Sequence, residues 1–478
     1  MTGDRPARDA EEAARRARIR LLEAQLEHLR RETLHLTHER YRLIYSASGR
    51  LYDFLRPIER RIADAGAALL ARFRTAPAPA APSPPAAAAA AAPAVAPVPA
   101  RRLLIDVTAT ARMDAGTGIQ RVVKEVARAC HDGHDFDIPV VAARCDGGRV
   151  FAANAFVARL TGAPAADDAE IAIAPGDRFL TLADSWNAFD ELAPVFDRVR
   201  AGGGEIVTCV FDLIPELHPY ACHESTPPRY RAWLRRALVE SDAFLAISRT
   251  VAEELADHVA AKRLPHRPGL KIGWFHLGAD LATPPAIHPR EAIAAAVSGD
   301  APAFLMVGTI EPRKGHRVAL DAFEALWARG VDARLVIVGR RGWLEEALVA
   351  SIERHGEKGR RLFWFSDADD SELAFLYERA RALILPSYAE GFGLPIVEAA
   401  RRGRIVICSD IPVFREVGRE GAVYVPVNDP AALAGAIEDV LAGKLTSDPR
   451  QALNVAWADA ARRIVDLIAR EDWLTRLD

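Results

Sequence analysis

Two glutamates, Glu390 and Glu398, enclose a string of seven residues that contains two glycines and a proline. Carboxylate oxygens accept hydrogen bonds and can therefore hold the hydroxyl groups of a sugar. Gly391 and Gly393 let a ligand approach the main chain, and Pro395 suits the first turn of a helix whose free amides would attract an anion. The alternative is a pair of ordinary acids near a helix N-terminus, each worth less than about 1 kcal/mol. The string as a whole favours a binding site.

Two adjacent cations, Arg313 and Lys314, follow an apolar run that ends at Gly308. They stand where the next helix should begin, and a helix N-terminus already favours anions. Arginine can hold a phosphate through two parallel hydrogen bonds, and lysine adds a compact charge. The pattern is therefore compatible with a phosphate site. The alternative is a solvated charge pair in an ordinary loop, which the two cations by themselves slightly favour.

A third loop, residues 114–121, is rich in glycine and follows the apolar run at 103–107. A glycine-rich turn between a strand and a helix is a weak signal by itself. Its place after the first strand of a domain strengthens the signal, because such a loop would face a cleft.

Short apolar runs alternate with helical stretches from residue 103 onward, and the three loops each follow one of these runs. Alternation of fully apolar strands with helices predicts parallel sheets that are covered by helices on both faces. In such sheets ligands bind at the carboxyl ends of the strands. Two series of runs, divided near residues 276–300, predict two Rossmann-like domains. The predicted strands span 103–107, 205–211, 243–247, 303–307, 334–338, 362–365, 382–385, 405–408 and 422–425, and a hairpin turn is predicted at 146–148.

The first hundred residues differ in composition from the rest. Residues 1–74 are typical of a helix, and five leucines follow heptad steps with polar interruptions at Thr33 and Arg40. Those leucines are Leu22, Leu26, Leu29, Leu36 and Leu43. An amphipathic helix packed on the body and a coiled-coil arm, used for self-association or for an assembly partner, both fit this pattern. Residues 75–100 hold eight prolines, which forbid a continuous helix, so we expect a semi-stiff linker.

The composition limits the classes of partner. A formal net charge of -3 gives no basic footprint for nucleic acid. No run reaches the roughly 18 apolar residues that a membrane span needs, and the N-terminus carries no apolar signal run. We therefore expect a cytoplasmic protein. Contact with the inner face of the membrane, through a partner or a lipid-linked acceptor, stays open.

Metal and disulfide sites are not expected. The five cysteines show no C-x-x-C spacing, and their number is odd. Asp367 and Asp369 resemble a pair of metal-binding carboxylates, but they precede a helix that should begin near Ser371, and no third ligand is apparent. We interpret them as capping residues.

Together these strings resemble glycosyltransferase family 4. Glu390 and Glu398 match the E-x7-E motif of that family, and residues 308–315 are similar to its diphosphate-binding loop. The resemblance covers residues 103–470 and implies the α/β fold called GT-B, in which two Rossmann-like domains face a cleft. The implied parts are a helical arm at 1–74, a Pro/Ala-rich linker at 75–100, an acceptor-side domain at 101–285 and a donor-binding domain at 286–478. The strings at 117–123, 211–219, 246–255 and 274–281 are similar to a mannosyltransferase-like subgroup that acts in bacterial surface polysaccharide assembly.

The resemblance also implies roles by position. Arg313 and Lys314 would stabilise a leaving diphosphate, Glu390 would contact the donor sugar, and Glu398 would bind the ribose hydroxyls. The further donor-binding residues that it implies are Gly118, Gly308, Gly391, Phe392, Gly393 and Leu394.

On the acceptor side the chain departs from the family. Many relatives carry a histidine directly before the aspartate of the string at 211–213, and this chain has Phe211 there. The acceptor-side candidates that remain are Asp212, His218 and His276.

The implied function is that of a retaining glycosyltransferase. It would move a hexose, with mannose as the first candidate, from a nucleotide-diphosphate sugar to a glycan or lipid-linked acceptor in polysaccharide biosynthesis, O-antigen included. No metal or other cofactor is expected if Arg313 and Lys314 stabilise the leaving group. A sugar-nucleotide epimerase of the same fold and a non-catalytic scaffold in an assembly complex stay open as alternatives. A nicotinamide dehydrogenase is disfavoured because no G-x-G-x-x-G follows residues 103–107.

Overall fold

The computed structural model describes residues 101–478, apart from 115, 133–135, 165, 183–185, 187–188, 281–288 and 446. These residues belong to one compact unit that runs from Val95 to Asp478. The predicted arm at 1–74, with its heptad leucines, and the predicted linker at 75–100 lie outside the described residues. Both stay predictions.

The first sheet has eight strands in the order β14-β7-β6-β5-β4-β1-β2-β3. Its inner strands pair in parallel, and the two outermost pairings, β14 with β7 and β3 with β2, are antiparallel. The strands are β1 Leu103–Asp106, β2 Val140–Asp146, β3 Arg149–Ala152, β4 Arg178–Thr181, β5 Glu205–Val210, β6 Ala243–Ala246, β7 Leu270–Trp274 and β14 Thr475–Leu477. We call this sheet and its covering helices the first domain.

The second sheet has six strands, all parallel, in the order β10-β9-β8-β11-β12-β13. It is the core of what we call the second domain. The strands are β8 Ala303–Val307, β9 Arg334–Val338, β10 Leu362–Phe365, β11 Ala382–Leu385, β12 Ile405–Ser409 and β13 Val423–Val425. Central strands such as β8, β9 and β11 are buried almost along their length, which explains their continuous apolar sequences.

Helices connect the parallel strands and cover both sheets. In chain order they are α1 Thr108–Arg112, α2 Gly118–His131, α3 Asn154–Thr161, α4 Phe189–Ala201, α5 Ile214–Leu217, α6 Thr226–Glu240, α7 Arg249–Lys262, α8 Glu291–Ala296, α9 His316–Ala328, α10 Glu346–Glu353, α11 Asp370–Arg379, α12 Leu394–Arg401, α13 Pro412–Gly418, α14 Pro430–Leu441 and α15 Trp457–Arg470. Among the helices of the described residues, we find none with the length and apolar character that crossing a membrane requires.

These elements confirm the α/β fold with two parallel sheets. Each predicted strand is present, and the hairpin predicted at 146–148 joins β2 to β3. The sequence prediction did not include β4, β7 and β14. Two of these are short: β4 begins at the charged Arg178, and β14 is half-exposed at the sheet edge.

The chain returns to the first domain at its C-terminal end. Helix α15 packs against α2, and the amide of Trp457 donates to Asp280 Oδ1 over 2.7 Å. Strand β14 then pairs with β7, with Leu477 opposite Leu270. The predicted division into 101–285 and 286–478 did not include this return, which places the last strand of the chain in the first sheet.

Candidate functional site

The candidate site lies where the second sheet reverses its strand order. Strands β8 and β11 are neighbours, and the chain builds the sheet outward from them in opposite directions. The loops that follow these strands, 308–315 and 386–393, therefore meet at the switch point where doubly wound sheets bind ligands. The amide of Tyr388 donates to the carbonyl of Arg313 over 2.9 Å and ties the loops together. The two strings with the strongest sequence signals thus form one site.

Glu390 is the centre of a charge network that holds both predicted cations. Its Oε2 accepts from Arg313 Nη1, and its Oε1 accepts from Lys314 Nζ, each over 2.6 Å. Ser387 Oγ donates to the same Oε1 over 3.0 Å. Burial alone would raise the pKa of Glu390, but the charges of Arg313 and Lys314 outweigh it and lower the pKa to about 2. Glu390 is therefore ionised near neutral pH and neutralises much of the charge of the two cations.

Two further acids border this network. Glu311 is buried, and its Oε1 lies 2.6 Å from Arg313 Nη2. Within the described residues its Oε2 has no hydrogen-bond partner. Burial raises the pKa of Glu311 and of Asp212, and the charge of Arg313 opposes the rise in both. Sequence reasoning did not single out Glu311, although it stands two residues before Arg313 in the same loop.

The loop from Glu390 to Gly393 packs in close contact with the first domain. A Cβ on Gly391 would lie 2.1 Å from the carbonyl oxygen of Phe211, so a side chain there requires the main chain to move. The carbonyl of Gly391 accepts a hydrogen bond from Ser248 Oγ over 2.8 Å. Gly393 has a φ of +97°, in the left-handed region that favours glycine, and it is the residue directly before α12. Both glycines are therefore required by the geometry of the site.

Helix α12 begins at Leu394 with Pro395 in its first turn, which confirms the predicted helix start. Phe392, just before it, is buried, and the centre of its ring lies 6.0 Å from that of His276 in the first domain. Phe392 thus packs between the domains. Its predicted contact with the donor stays a prediction.

Glu398 lies inside α12 and is held by groups from two directions. Arg121 Nη1, on helix α2 of the first domain, donates to its Oε1 over 2.9 Å. Tyr377 Oη donates to its Oε2 over 2.7 Å. Glu398 is 3% exposed and Arg121 is 20% exposed, so the ion pair is largely shielded from water. Sequence reasoning missed the role of Arg121 because nothing in a local string shows a partner that lies 277 positions away.

The helix that follows the glycine-rich loop, α2, has a capped N-terminus. Thr117 accepts from the amide of Gln120, whose side chain accepts in return from the amide of Thr117, so α2 begins with a capping box. A Cβ on Gly118 would meet no atom within 4 Å. The approach of Gly118 to a phosphate stays a prediction, as does the donor contact of Gly308.

The three acceptor-side candidates do not lie together. Burial, and then the charge of Arg313, lowers the pKa of His218, whose Nδ1 lies 2.9 Å from Tyr220 Oη. The charge of Arg313 also lowers the pKa of Asp212, against the effect of burial. Because Arg313 acts on both side chains, Asp212 and His218 both border the Glu390 network. His276 instead lies between the domains, where its Nε2 is 2.7 Å from an oxygen of Glu416.

Glu416, on α13, also anchors a helix of the first domain. Its two carboxylate oxygens accept from the amides of Arg249 and Thr250, each over 2.8 Å, at the start of α7. Burial would raise the pKa of Glu416, but its hydrogen bonds with His276 and Thr250 lower it. The place of His276 is thus explained by contact between the domains.

The two acids with metal-like spacing are structural. Asp369 is the N-cap of α11 and forms a capping box with Glu372, which confirms the capping interpretation for Asp369. For Asp367 that interpretation is wrong, because this side chain lies before the cap and pairs with Arg290 over 2.8 Å. Within the described ranges, no group of three or more His, Cys, Asp or Glu side chains is placed to hold a metal ion. The expectation of a reaction without a metal stays a prediction.

The chain is similar to known glycosyltransferases in sequence. Residues 290–463 match the family model described as Glycosyl transferases group 1. The chain is 34% identical over 364 residues to the serotype-specific mannosyltransferase WbdA of Escherichia coli, an alignment that covers 75% of this chain and 43% of that protein. It is also 34% identical over 169 residues to a phosphatidyl-myo-inositol mannosyltransferase of Mycobacterium tuberculosis, covering 34% of this chain and 41% of the relative. The chain therefore spans less than half the length of either relative.

A solved structure, that of Anabaena HepE in complex with UDP and glucose, aligns with a TM-score of 0.49 and 16% identity. The alignment covers 76% of this chain and 94% of that one.

Proposed function

Because residues 290–463 match the family model described as Glycosyl transferases group 1, we propose that this chain transfers a hexose from a nucleotide-diphosphate sugar to a hydroxyl of a glycan or lipid-linked acceptor. The observation that carries the proposal is the network at the switch point, in which Glu390 holds Arg313 and Lys314. Preorganised cations in a water-poor site stabilise a developing anion well. Mannose is the first candidate for the sugar and polysaccharide biosynthesis for the process, since the similar proteins are named mannosyltransferases.

In the proposed step the acceptor oxygen bonds to C1 of the sugar while the bond between C1 and the diphosphate oxygen breaks. The electron pair leaves with the diphosphate, which takes up the hydroxyl proton. Arg313 and Lys314 would stabilise the departing charge, Glu390 would hold hydroxyls of the donor sugar, and Glu398 would hold those of the ribose. The donor contacts would be completed by Gly118, Gly308 and residues 391–394.

Retention of the anomeric configuration and a reaction without a metal are parts of the proposal. Retention rests on the likeness of the Glu390–Glu398 string to the family motif. The metal-free reaction rests on the two cations at the leaving group. An NMR spectrum of the first product gives its anomeric configuration. Unchanged turnover in EDTA is the expected result, and activity that returns only with added Mg²⁺ would contradict the role given to Arg313 and Lys314.

The test begins with a thermal-shift panel of nucleotide sugars, in which GDP-mannose is the first probe. Release of the nucleoside diphosphate in the presence of mannosyl acceptors then measures turnover. Lys314→Ala should lower kcat about a hundredfold, as the loss of one charge-stabilising donor does in other enzymes. Lys358→Ala is the matched control, since Lys358 is exposed in the same domain. A panel without any shift would count against the donor site.

The same materials separate the two alternatives. An epimerase would change the sugar of the donor when no acceptor is present, and the transferase would not. A scaffold would tolerate Lys314→Ala in polysaccharide synthesis but not deletion of residues 1–74.

A further inference from the structure

A groove in the first domain lies away from the candidate site. It is bounded by the last turn of α2, the start of β2 and one side of α3, and its volume is about 360 Å³. Ligand pockets of proteins occupy roughly 300–1,000 Å³, so the groove has room for the side chains of a short peptide segment. Phe211, at the end of β5, contacts the second domain. The start of β2 therefore belongs to the opposite edge of the sheet.

The lining of the groove is uncharged. Among the described residues that line it, none is Asp, Glu, Lys or Arg, and alanines and valines predominate. Val140 and Ala142 from β2 are only half-buried, and Val157 from α3 lies across the groove from them. An apolar surface that is open to water gains free energy when an apolar group covers it. The lining therefore suits a neutral, apolar occupant.

The chain enters the first domain directly beside this groove. Leu103, the first residue of β1, lies opposite Val140 in the parallel ladder. The amide of Leu103 donates to the carbonyl of Pro139 over 2.8 Å. Neighbouring strands lie about 4.8 Å apart, so the residues before Leu103 reach the body of the protein next to the lining.

The backbone turns at the point of entry. Arg101 has a φ of +73°, in the left-handed region that is unfavourable for a residue with a side chain. Such a conformation persists where the surrounding contacts hold it in place. A segment that simply extended β1 into the solvent would not require it. The turn therefore indicates that the residues before Arg101 are held against the body.

The sequence of this segment matches the groove in character. Residues 75–100 contain no charged residue, and their two valines are Val95 and Val98. A polyproline helix has three residues per turn, so both valines would lie on one side of it, while Ala96 would lie on another. An extended chain spans roughly 3.3–3.6 Å per residue, so the five steps from Val98 to Leu103 are long enough to cross the groove.

We propose that residues 95–100 of this chain dock in the groove, with Val95 and Val98 inserted between Val140 and Val157. The docked segment would fix the point at which the predicted linker leaves the first domain, at the edge of the sheet opposite the second domain. This proposal does not depend on the proposed function, since it concerns neither the donor nor the acceptor.

Cys130 is a natural reporter, because it lines the groove and is half-buried while the other four cysteines are buried. The test introduces Val95→Cys, Val98→Cys or Ala96→Cys into the full chain and follows disulfide formation in a glutathione buffer. A disulfide requires Cα atoms about 4.4–6.8 Å apart. At least one of the two valine positions should bond to Cys130 about tenfold or more faster than Ala96→Cys does, because docking turns Ala96 away from the groove. Each bond should disappear in a Cys130→Ser background.

A second test releases the segment. The double variant Val95→Asp with Val98→Asp would have to remove two carboxylates from water in order to dock, which is unfavourable. A maleimide should then modify Cys130 about tenfold or more faster than in the wild type, as expected when a buried valine contact is lost. Ala86→Asp with Ala89→Asp adds the same charge at the same spacing outside the segment and should react as the wild type does. Circular dichroism of both double variants checks that they fold.

Three results would overturn the proposal. The first is an equal rate of disulfide formation at all three positions, since an undocked segment would bring each of them to Cys130 in a similar time. The second is modification of Cys130 that is no faster in the double Val→Asp variant than in the wild type. The third is a Cys130 disulfide that joins two molecules on a non-reducing gel, which would show that the groove takes the segment of a second copy.

Discussion

The ion pair between Arg121 and Glu398 joins the two domains, and Arg121→Ala tests how strongly it holds them. The Glu398 carboxylate is 3% exposed and Arg121 is 20% exposed, so water screens the pair only in part. Removing one partner of a buried pair costs about 3–5 kcal/mol, because the other charge is left uncompensated. Tyr377 still donates to Glu398 in the variant, so we expect the lower end, about 3 kcal/mol.

Guanidinium unfolding of matched variants measures this cost. Arg128 lies on the same helix and pairs within it with Glu125, and this pair is more exposed to water than Arg121 and Glu398, so Arg128→Ala should cost only about 1 kcal/mol. A double-mutant cycle that combines Arg121→Ala with Glu398→Gln isolates the contribution of the pair. If Arg121→Ala costs no more than Arg128→Ala, the pair does not hold the domains and the reasoning fails. Donor binding should also weaken in Arg121→Ala, since Glu398, the residue proposed to hold the ribose, loses the side chain that positions its Oε1.

Other outcomes follow from the same site. Gly391→Ala should destabilise the protein by about 2 kcal/mol, since the new Cβ would lie 2.1 Å from a carbonyl oxygen of the first domain. Gly435→Ala is the control and should not destabilise it, because a Cβ there meets no atom within 4 Å. Thermal unfolding of the two variants measures the difference. Glu390→Gln should cost about 3 kcal/mol at pH 7, given a pKa of about 2 against an ordinary 4.5. A carboxyl group whose pKa is lower in the folded than in the unfolded protein stabilises the fold at pH values above its unfolded pKa. The difference in unfolding free energy between the wild type and Glu390→Gln should therefore narrow as the pH falls from 4.5 toward 2. A difference that does not change with pH would contradict this. Diphosphate binding should take up protons at Glu311 and Asp212, whose pKa values are already raised, and calorimetric heats that are equal in buffers of different ionisation enthalpy would argue against it.

The second domain was predictable from sequence because its central strands are buried on both faces. Burial of this kind requires continuous apolar runs, and the runs at 303–307 and 334–338 coincide with β8 and β9. Strand β14 shows the opposite case. Its residues Thr475–Leu477 are half-exposed at a sheet edge, so neither periodicity nor hydrophobicity marks them. Apolar patterning therefore detects continuous apolar runs: it found β10 and β13, which are only partly buried, and it missed the buried β7, whose sequence contains Lys271 and Gly273.

The site was predictable as a set of residue types but not as a set of contacts. The strings around Arg313 and Glu390 showed which side chains could bind a phosphate or a sugar, and the switch point brought them together. Pairs such as Arg121 with Glu398, or His276 with Glu416, depend on how two domains pack. No local string contains that information. His276 illustrates the result, since its position suggested the acceptor and its observed partner is a carboxylate of the other domain.

The two glutamates of one string are held in different ways, and this difference separates their proposed roles. Glu390 is balanced by Arg313 and Lys314 from its own domain, so a diphosphate that attracts these cations would free its oxygens for the donor sugar. Glu398 is balanced by Arg121 from the other domain, which a diphosphate at the switch point need not displace. A carboxylate offers about four lone-pair sites, so Glu398 can accept ribose hydroxyls while it keeps Arg121. Loss of Lys314 should therefore appear mainly in kcat, and loss of Arg121 mainly in donor affinity.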